Sequence, residues 1–198
     1  MNRSPYAGRD KSEWKSITDK LINEHPLSGE FIVKVVHAAW DGLFNTSIGN
    51  NGLKIGEHIF PKPQVIGALL HELIPAEIEA TLPREWRGEK NAGDKDIVYI
   101  PDDFYSIELK TSSNSSRIFG NRSYAQQPTK GKKSKDGFYL AVNFWKFTAN
   151  KVKPEIQTIR FGWLDHTDWR GQKAPSGQQS SLSPETYELK FKTLYSKR

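Results

Sequence analysis

The chain has 198 residues with 36% hydrophobic and 12% aromatic content, which argues against a disordered chain and fits one domain with an ordinary core. It holds no cysteine, which removes disulfide frameworks, thiol nucleophiles and thiolate-bound zinc or iron–sulfur centres. The net charge of +6 is local: six cations (Arg117, Arg122, Lys130, Lys132, Lys133, Lys135) and no acid fall within 114–135, so a polyanionic partner is implied, with a solvated basic loop as the competing explanation.

No apolar run approaches the roughly 18 residues of a membrane span, and the first residues are polar, so a soluble, intracellular protein is expected. Residues 12–24 predict a helix, with Trp14, Ile17, Leu21 and Ile22 at helical spacing behind a Ser-x-x-Glu-like start; Pro26 closes it. Residues 28–44 predict a second, with Phe31, Ile32, Val35, Val36, Ala39, Trp40 and Leu43 on one stripe. Residues 49–52 (Gly-Asn-Asn-Gly) are a loop, and 63–74 a third helix that Pro75 ends or kinks. The period then changes. Residues 96–100 and 104–110 are short β-prone runs around Pro101-Asp102-Asp103, a turn by residue type. Residues 137–147 predict a long buried strand and 156–164 another; 171–183 form a loop, and 184–195 are a helix or a strand. Helices first and strands in the middle make an α/β or α+β protein.

The hairpin concentrates chemistry. With a three-residue loop, Ile100 pairs with Phe104, Asp96 falls opposite Glu108, and Asp94 opposite Lys110. Glu108 and Lys110 share a face, because strand side chains alternate. Two or three carboxylates thus meet one lysine within cross-strand reach. Adjacent carboxylates repel unless a cation joins them, and Mg²⁺ takes one or two carboxylates plus waters. Such a set suits phosphodiester hydrolysis. A solvent-exposed hairpin with paired charges is the bland alternative. Against it stand the apolar neighbours Ile107 and Leu109 and the basic segment that follows at once.

Lys95-Asp96, eleven residues, then Glu108-Leu109-Lys110 resembles the PD-(D/E)XK nuclease superfamily, with Lys95 where the superfamily name has proline. The flanking text resembles the ScaI-like group of type II restriction endonucleases: Asp96-Ile97-Val98-Tyr99-Ile100-Pro101, then Ser106 to Ser113, then Ile118-Phe119-Gly120-Asn121-Arg122-Ser123-Tyr124-Ala125. The resemblance implies an α/β fold with a central mixed β-sheet flanked by α-helices. It implies a single endonuclease domain over 1–198: an N-terminal helical part (1–60), a catalytic core (61–165) and a C-terminal extension (166–198). It further implies Mg²⁺-dependent cleavage of both strands of double-stranded DNA at a short palindrome, leaving 5′-phosphate and 3′-hydroxyl ends. A homodimer in a prokaryotic cytoplasm follows, with a cognate DNA methyltransferase that is not a bound subunit. Carried over, Asp96 and Glu108 ligate Mg²⁺ with the Leu109 carbonyl as a third contact, and Lys110 activates the attacking water. Many members add a helix glutamate; Glu72 is the candidate, with Glu77 and Glu79 as rivals.

The segment leaving the catalytic strand is dense in DNA-binding groups. Arg117 and Arg122 suit guanine edges or phosphates, Asn114 and Asn121 suit adenine, and Thr111, Ser112, Ser113, Ser123 and Tyr124 complete the candidate surface. Lys130, Lys132 and Lys133 are assigned to backbone contact or a flap, and Trp86-Arg87 is a further candidate DNA contact. His71-Glu72 opens like a zinc-protease helix, but Pro75 replaces the second histidine. Asp165-His166-Thr167-Asp168 is expected to be a polar turn, and His25, His37 and His58 have no partners at ligand spacing. The helices over 12–44 are the first place to look for a dimer face. A structure-selective or repair nuclease of the same superfamily, or a DNA-binding protein with a decayed site, are the alternatives.

Overall fold

The structure, a computed structural model, describes residues 4–127, 133–148, 154–174 and 176–197. Helix α1 (Lys11–Asn23) starts on a reciprocal cap: Asp10 Oδ1 accepts from the Ser12 amide, while Glu13 Oε2 accepts from the Asp10 amide. The cap is therefore Asp10, two residues earlier than the serine the sequence suggested. Helix α2 (Gly29–Asn45) opens on Ser28, whose Oγ accepts from the Phe31 amide. It buries the expected stripe of Ile32, Val35, Val36, Ala39, Trp40 and Leu43. That stripe is spent inside the molecule, which leaves the 12–44 helices without it as a dimer face. The Gly-Asn-Asn-Gly loop joins β1 (Ser47–Ile48) to β2 (Leu53–Lys54), with Gly49 and Gly52 at φ +68° and +63°, where a Cβ would be strained.

Helix α3 (Pro63–Thr81) corrects an expectation: it runs on through Pro75. Proline removes the N–H that would serve the residue 71 carbonyl. The helix continues because Ile66, Leu70, Ile74 and Ile78 form one buried stripe, and Pro75 itself is buried. Gly67 lets this helix close on the sheet, since a Cβ there would lie 2.7 Å from Thr111 Oγ1.

The strands follow as β3 (Trp86–Gly88), β4 (Ile97–Tyr99), β5 (Ile107–Ser112), β6 (Phe119–Asn121), β7 (Gly137–Phe144), β8 (Ile156–Leu164), β9 (Trp169–Gly171) and β10 (Gln179–Leu182). Residues 171–183 thus contain a strand, not only a loop. The ambiguous C-terminal run is both things in turn: helix α4 (Pro184–Leu189), then β11 (Phe191–Ser196). A six-stranded sheet has the order β11-β8-β7-β5-β4-β3, with β5 and β7 parallel and the other neighbours antiparallel, so the sheet is mixed.

Strand β7 is buried along its whole length, and its side chains feed two cores. Phe138, Leu140 and Val142 join the helices α1–α3 on one face. Tyr139 and Ala141 join Ile118, Tyr124, Leu164, Trp169, Leu182 and Phe191 on the other. That second face is covered by the three-stranded sheet β6-β10-β9 and by α4 rather than by long helices. Trp86 is fully buried in the first core, which removes it as a DNA contact. The 165–168 segment is a short 3₁₀ turn, and it does more than cap a strand. Asp165 and Asp168 accept from the buried Lys190 ammonium at 2.9 and 2.8 Å, fastening β11 beneath it.

Candidate active site

Strands β4 and β5 meet at a single ladder pair, Ile97 with Ile107, which is the register that sets Asp96 opposite Glu108. The expected tight turn is replaced by a 3₁₀ turn at Asp103–Tyr105. Asp102 caps it by accepting from the Phe104 amide, and Ser106 Oγ accepts from the Tyr99 amide in place of a ladder bond. Ile100 therefore does not pair with Phe104. The second expected pair also fails: Asp94 turns away from Lys110. It accepts from Arg87 at 2.7 Å and from the Lys90 and Asn91 amides, which hold its carboxyl down at about 2.

Asp96 and Glu108 do converge. Asp96 Oδ2 accepts from the Leu109 amide at 2.6 Å, fixing the carboxylate on β5. Glu108 is 2% exposed, and its Oε1 accepts from Lys110 Nζ at 2.7 Å and from the Tyr124 hydroxyl. Lys110 Nζ also donates to the Leu109 carbonyl at 2.9 Å. One further ammonium joins the carboxylates: Lys133 Nζ lies 2.8 Å from Asp96 Oδ1 and 2.8 Å from Glu108 Oε2. At Oε2 the contact is an ion pair rather than an aligned hydrogen bond.

Burial alone would raise the Glu108 pKa. The Lys110 and Lys133 ammoniums outweigh it and hold the carboxyl well below the usual range. Burial works against the Lys133 charge as well, but Glu108 and Asp96 overcome it and raise its pKa. Tyr124 is pushed up by burial and by the Glu108 charge, so it remains a donor. Lys95, the residue at the superfamily's proline position, is buried and lowered to about 8, mainly by desolvation. Its Nζ donates to the Ser134 carbonyl at 3.2 Å. Gly137, at φ +139°, leaves room for that side chain.

The helix side of the site is different from the expectation. Glu72 is exposed and lines a cavity of about 220 Å³ together with His71, Glu79, Glu89 and Asp96. Glu79 Oε2 is committed to the Gly88 amide at 3.1 Å. Glu77 does not line that cavity. The α3 side chain that reaches Asp96 is His71, with Nδ1 3.8 Å from Oδ2. Burial lowers the His71 pKa against the opposing pull of Asp96. Among the described residues no three His, Asp or Glu side chains close around one point. The donor set is two carboxylates that already share one cation, which fits a hard divalent ion that keeps most of its water.

The candidate DNA surface is partly reorganised. Thr111 and Ser112 lie on β5, and Ser113 is half-buried just after it. Asn114, Arg117, Asn121 and Ser123 are exposed. Asn114 Oδ1 already accepts from the Ser116 and Arg117 amides, closing the turn. Arg122 is half-buried and donates to the Ala174 and Gly177 carbonyls at 3.3 Å each. Tyr124, expected at the DNA, is 7% exposed and committed to Glu108. Its ring lies under two ammoniums, Lys110 at 4.7 Å and Lys135 at 4.2 Å. Lys130 and Lys132 lie outside the described residues. The site therefore contains Tyr124, Lys133 and His71 in places no local pattern announced; the one available signal for Lys133 was its membership of an acid-free basic run.

A carboxylate pair, buried at Glu108 and half-buried at Asp96, with a lysine two residues along, on adjacent strands of a mixed sheet, is the arrangement that the PD-(D/E)XK resemblance implies, and the comparisons place the protein among the type II restriction endonucleases. The profile of the ScaI restriction endonuclease family matches residues 4–195. The type II restriction enzyme ScaI of Streptomyces caespitosus is 52% identical over 181 residues, which span 90% of this chain and 79% of that enzyme. The chain belongs to the ScaI restriction endonuclease family, and it is a site-specific deoxyribonuclease. No described helix is long and apolar enough to cross a membrane.

Proposed function

We propose that this enzyme hydrolyses both strands of double-stranded DNA at a short palindromic site, with Mg²⁺, as a homodimer. The observation that carries the proposal is the Asp96–Glu108 pair holding one shared cation, with Lys110 bound to the same glutamate. Asp96 and Glu108 would hold Mg²⁺, with the Leu109 carbonyl, now facing Lys110, as a third contact. When bound, Mg²⁺ supplies charge at the scissile phosphate and acidifies nearby water.

The chain's own groups do the rest. Leu109 N–H and Tyr124 O–H keep the two carboxylates aimed at a common point. Lys110, whose ammonium donates to Glu108 and to the Leu109 carbonyl, orients the attacking water and favours its hydroxide form by its charge, and the water's proton passes through solvent to the departing 3′-oxygen. The water oxygen bonds to phosphorus in line with the departing 3′-oxygen. The P–O3′ bond breaks, the 3′-oxygen takes a proton, and the products are a 5′-phosphate and a 3′-hydroxyl. Glu72, on the wall of the cavity beside Asp96, would assist from the helix side. The exposed Asn114, Arg117, Asn121 and Ser123, with Thr111, Ser112, Ser113 and Arg122 beside them, would contact DNA.

We read the whole chain as one endonuclease domain, because β11 extends the sheet that carries the site and α1–α2 pack on it. A nuclease of this kind would act in a prokaryotic cytoplasm beside a separate, cognate methyltransferase that protects the host's own sites. Incubation of plasmid and phage DNA with the protein and Mg²⁺ tests the proposal. Discrete fragments with run-off ends mapping to one palindrome are expected. Intact DNA over a wide range of sequences, from a folded preparation, would overturn it; cleavage of branched DNA without a fixed sequence would point to a structure-selective nuclease.

A further inference from the structure

Lys133 stands where a metal ion would be needed. Its ammonium lies 2.8 Å from one oxygen of each carboxylate and 3.8 Å from Glu89 Oε2. Its side chain is 14% exposed, so the contact is not a passing surface pair. The neighbouring residue is anchored as well: buried Lys95, next to Asp96 in the chain, donates to the Ser134 carbonyl. Lys110 occupies the other oxygen of Glu108, so the two lysines have separate posts.

We propose that Lys133 is a displaceable internal counter-ion. It neutralises the Asp96–Glu108 pair in the metal-free protein and yields it to the divalent cation. Its ammonium then moves to a phosphate oxygen of the bound DNA, where it serves as a second catalytic cation beside Lys110. This rests on the function proposed above. The physical reason is exclusion: an ammonium in contact with both oxygens and a dication held by the same oxygens would be like charges in close approach within a partly buried site. The displaced ammonium needs a new anion, and the DNA phosphate supplies one. Metal and DNA should therefore reinforce each other, and by linkage each tightens the other by the same factor.

The test is Mn²⁺ binding followed by electron paramagnetic resonance on the full chain. It is run without DNA and with a cleavage-resistant phosphorothioate duplex bearing the mapped site. Wild type, Lys133→Met, Lys133→Arg and Asp96→Asn are compared. Lys133→Met should bind Mn²⁺ about tenfold more tightly without DNA, the scale of one lost charge-assisted hydrogen bond. It should lose most of the tightening by DNA, and at saturating metal it should cut at least about tenfold more slowly. Lys133→Arg should keep the DNA-free affinity of wild type. DNA-free affinity that does not rise in Lys133→Met, or undiminished coupling to DNA, overturns the inference while Asp96→Asn still marks the metal site. If Asp96→Asn binds Mn²⁺ as wild type does, the carboxylate pair is not the metal site and both proposals fall. Should the methionine variant not fold, acetylation of wild-type Lys133, read by mass spectrometry, decides. Its reactivity should rise severalfold on adding Mn²⁺; unchanged reactivity overturns the proposal.

Discussion

Replacing Tyr124 by phenylalanine deletes one hydroxyl and leaves the ring where it is, packed on Trp169 with centroids 5.2 Å apart and under the Lys110 and Lys135 ammoniums. The lost hydroxyl donates to Glu108 Oε1, a carboxylate that is 2% exposed and cannot recruit water in exchange. A hydrogen bond to a charged group contributes about 1.5–3 kcal/mol. Lys110 remains on the same oxygen, so the glutamate stays neutralised and the fold should survive. If the bond serves chiefly to aim Glu108, its loss appears in the chemical step as roughly a 10- to 100-fold slower rate. Single-turnover cleavage at saturating enzyme measures that rate. Duplex binding in Ca²⁺, where cleavage is suppressed, measures DNA affinity separately. The expected result is slow cleavage with binding within about twofold of wild type. A base or phosphate contact by Tyr124, which the sequence suggested, would give the opposite split: weakened binding and a nearly normal single-turnover rate. That outcome, or wild-type behaviour in both assays, would refute the placement of Tyr124 behind Glu108.

Lys110→Ala should lower cleavage by about 10²–10⁴ while sparing specific binding, because in the proposed mechanism the lysine acts on water and not on bases; gel-shift and cleavage assays on one preparation separate the two. Stability should fall in mild acid through His25. Burial lowers its pKa from 6.5 to about 4 against weak opposition from the Tyr105 and Leu27 carbonyls. Above pH 6.5 the ring is neutral in both states. Below it the unfolded chain takes a proton that the folded one refuses until about 4, so up to about 3 kcal/mol is lost across that window. Urea titrations at several pH values should show a shallower slope for His25→Gln. Gly162→Ala should abolish folding, because a Cβ there would lie 1.9 Å from the Lys190 carbonyl oxygen, backbone that β11 cannot move; a cooperative melt near that of wild type would contradict the register between β8 and β11.

Local patterns carried much of the architecture. The α2 stripe and strand β8 follow from periodicity, because a side chain's face depends only on its neighbours along the chain. The Asp96–Glu108 register was legible through alternation, and Ile97 does pair with Ile107, although the three-residue turn from which it was read is replaced by a longer connection wound as a 3₁₀ helix. The run of α3 through Pro75 was not legible, since its continuation depends on a core that waits beyond the proline.

Partners distant in sequence were decided by the tertiary structure alone. Nothing in the text separates Lys133 from Lys130, Lys132 or Lys135, yet the return of the chain into β7 brings Lys133 to both carboxylates. Tyr124 reads as one more polar group on a DNA-contacting loop until the small sheet folds over the second face and buries it against Glu108. The sequence by itself determined which residues line α2, β7 and β8 and that two acids and a lysine come together across β4 and β5. Which cation holds the acids, and what stands behind them, depends on contacts between segments whose meeting no local period encodes.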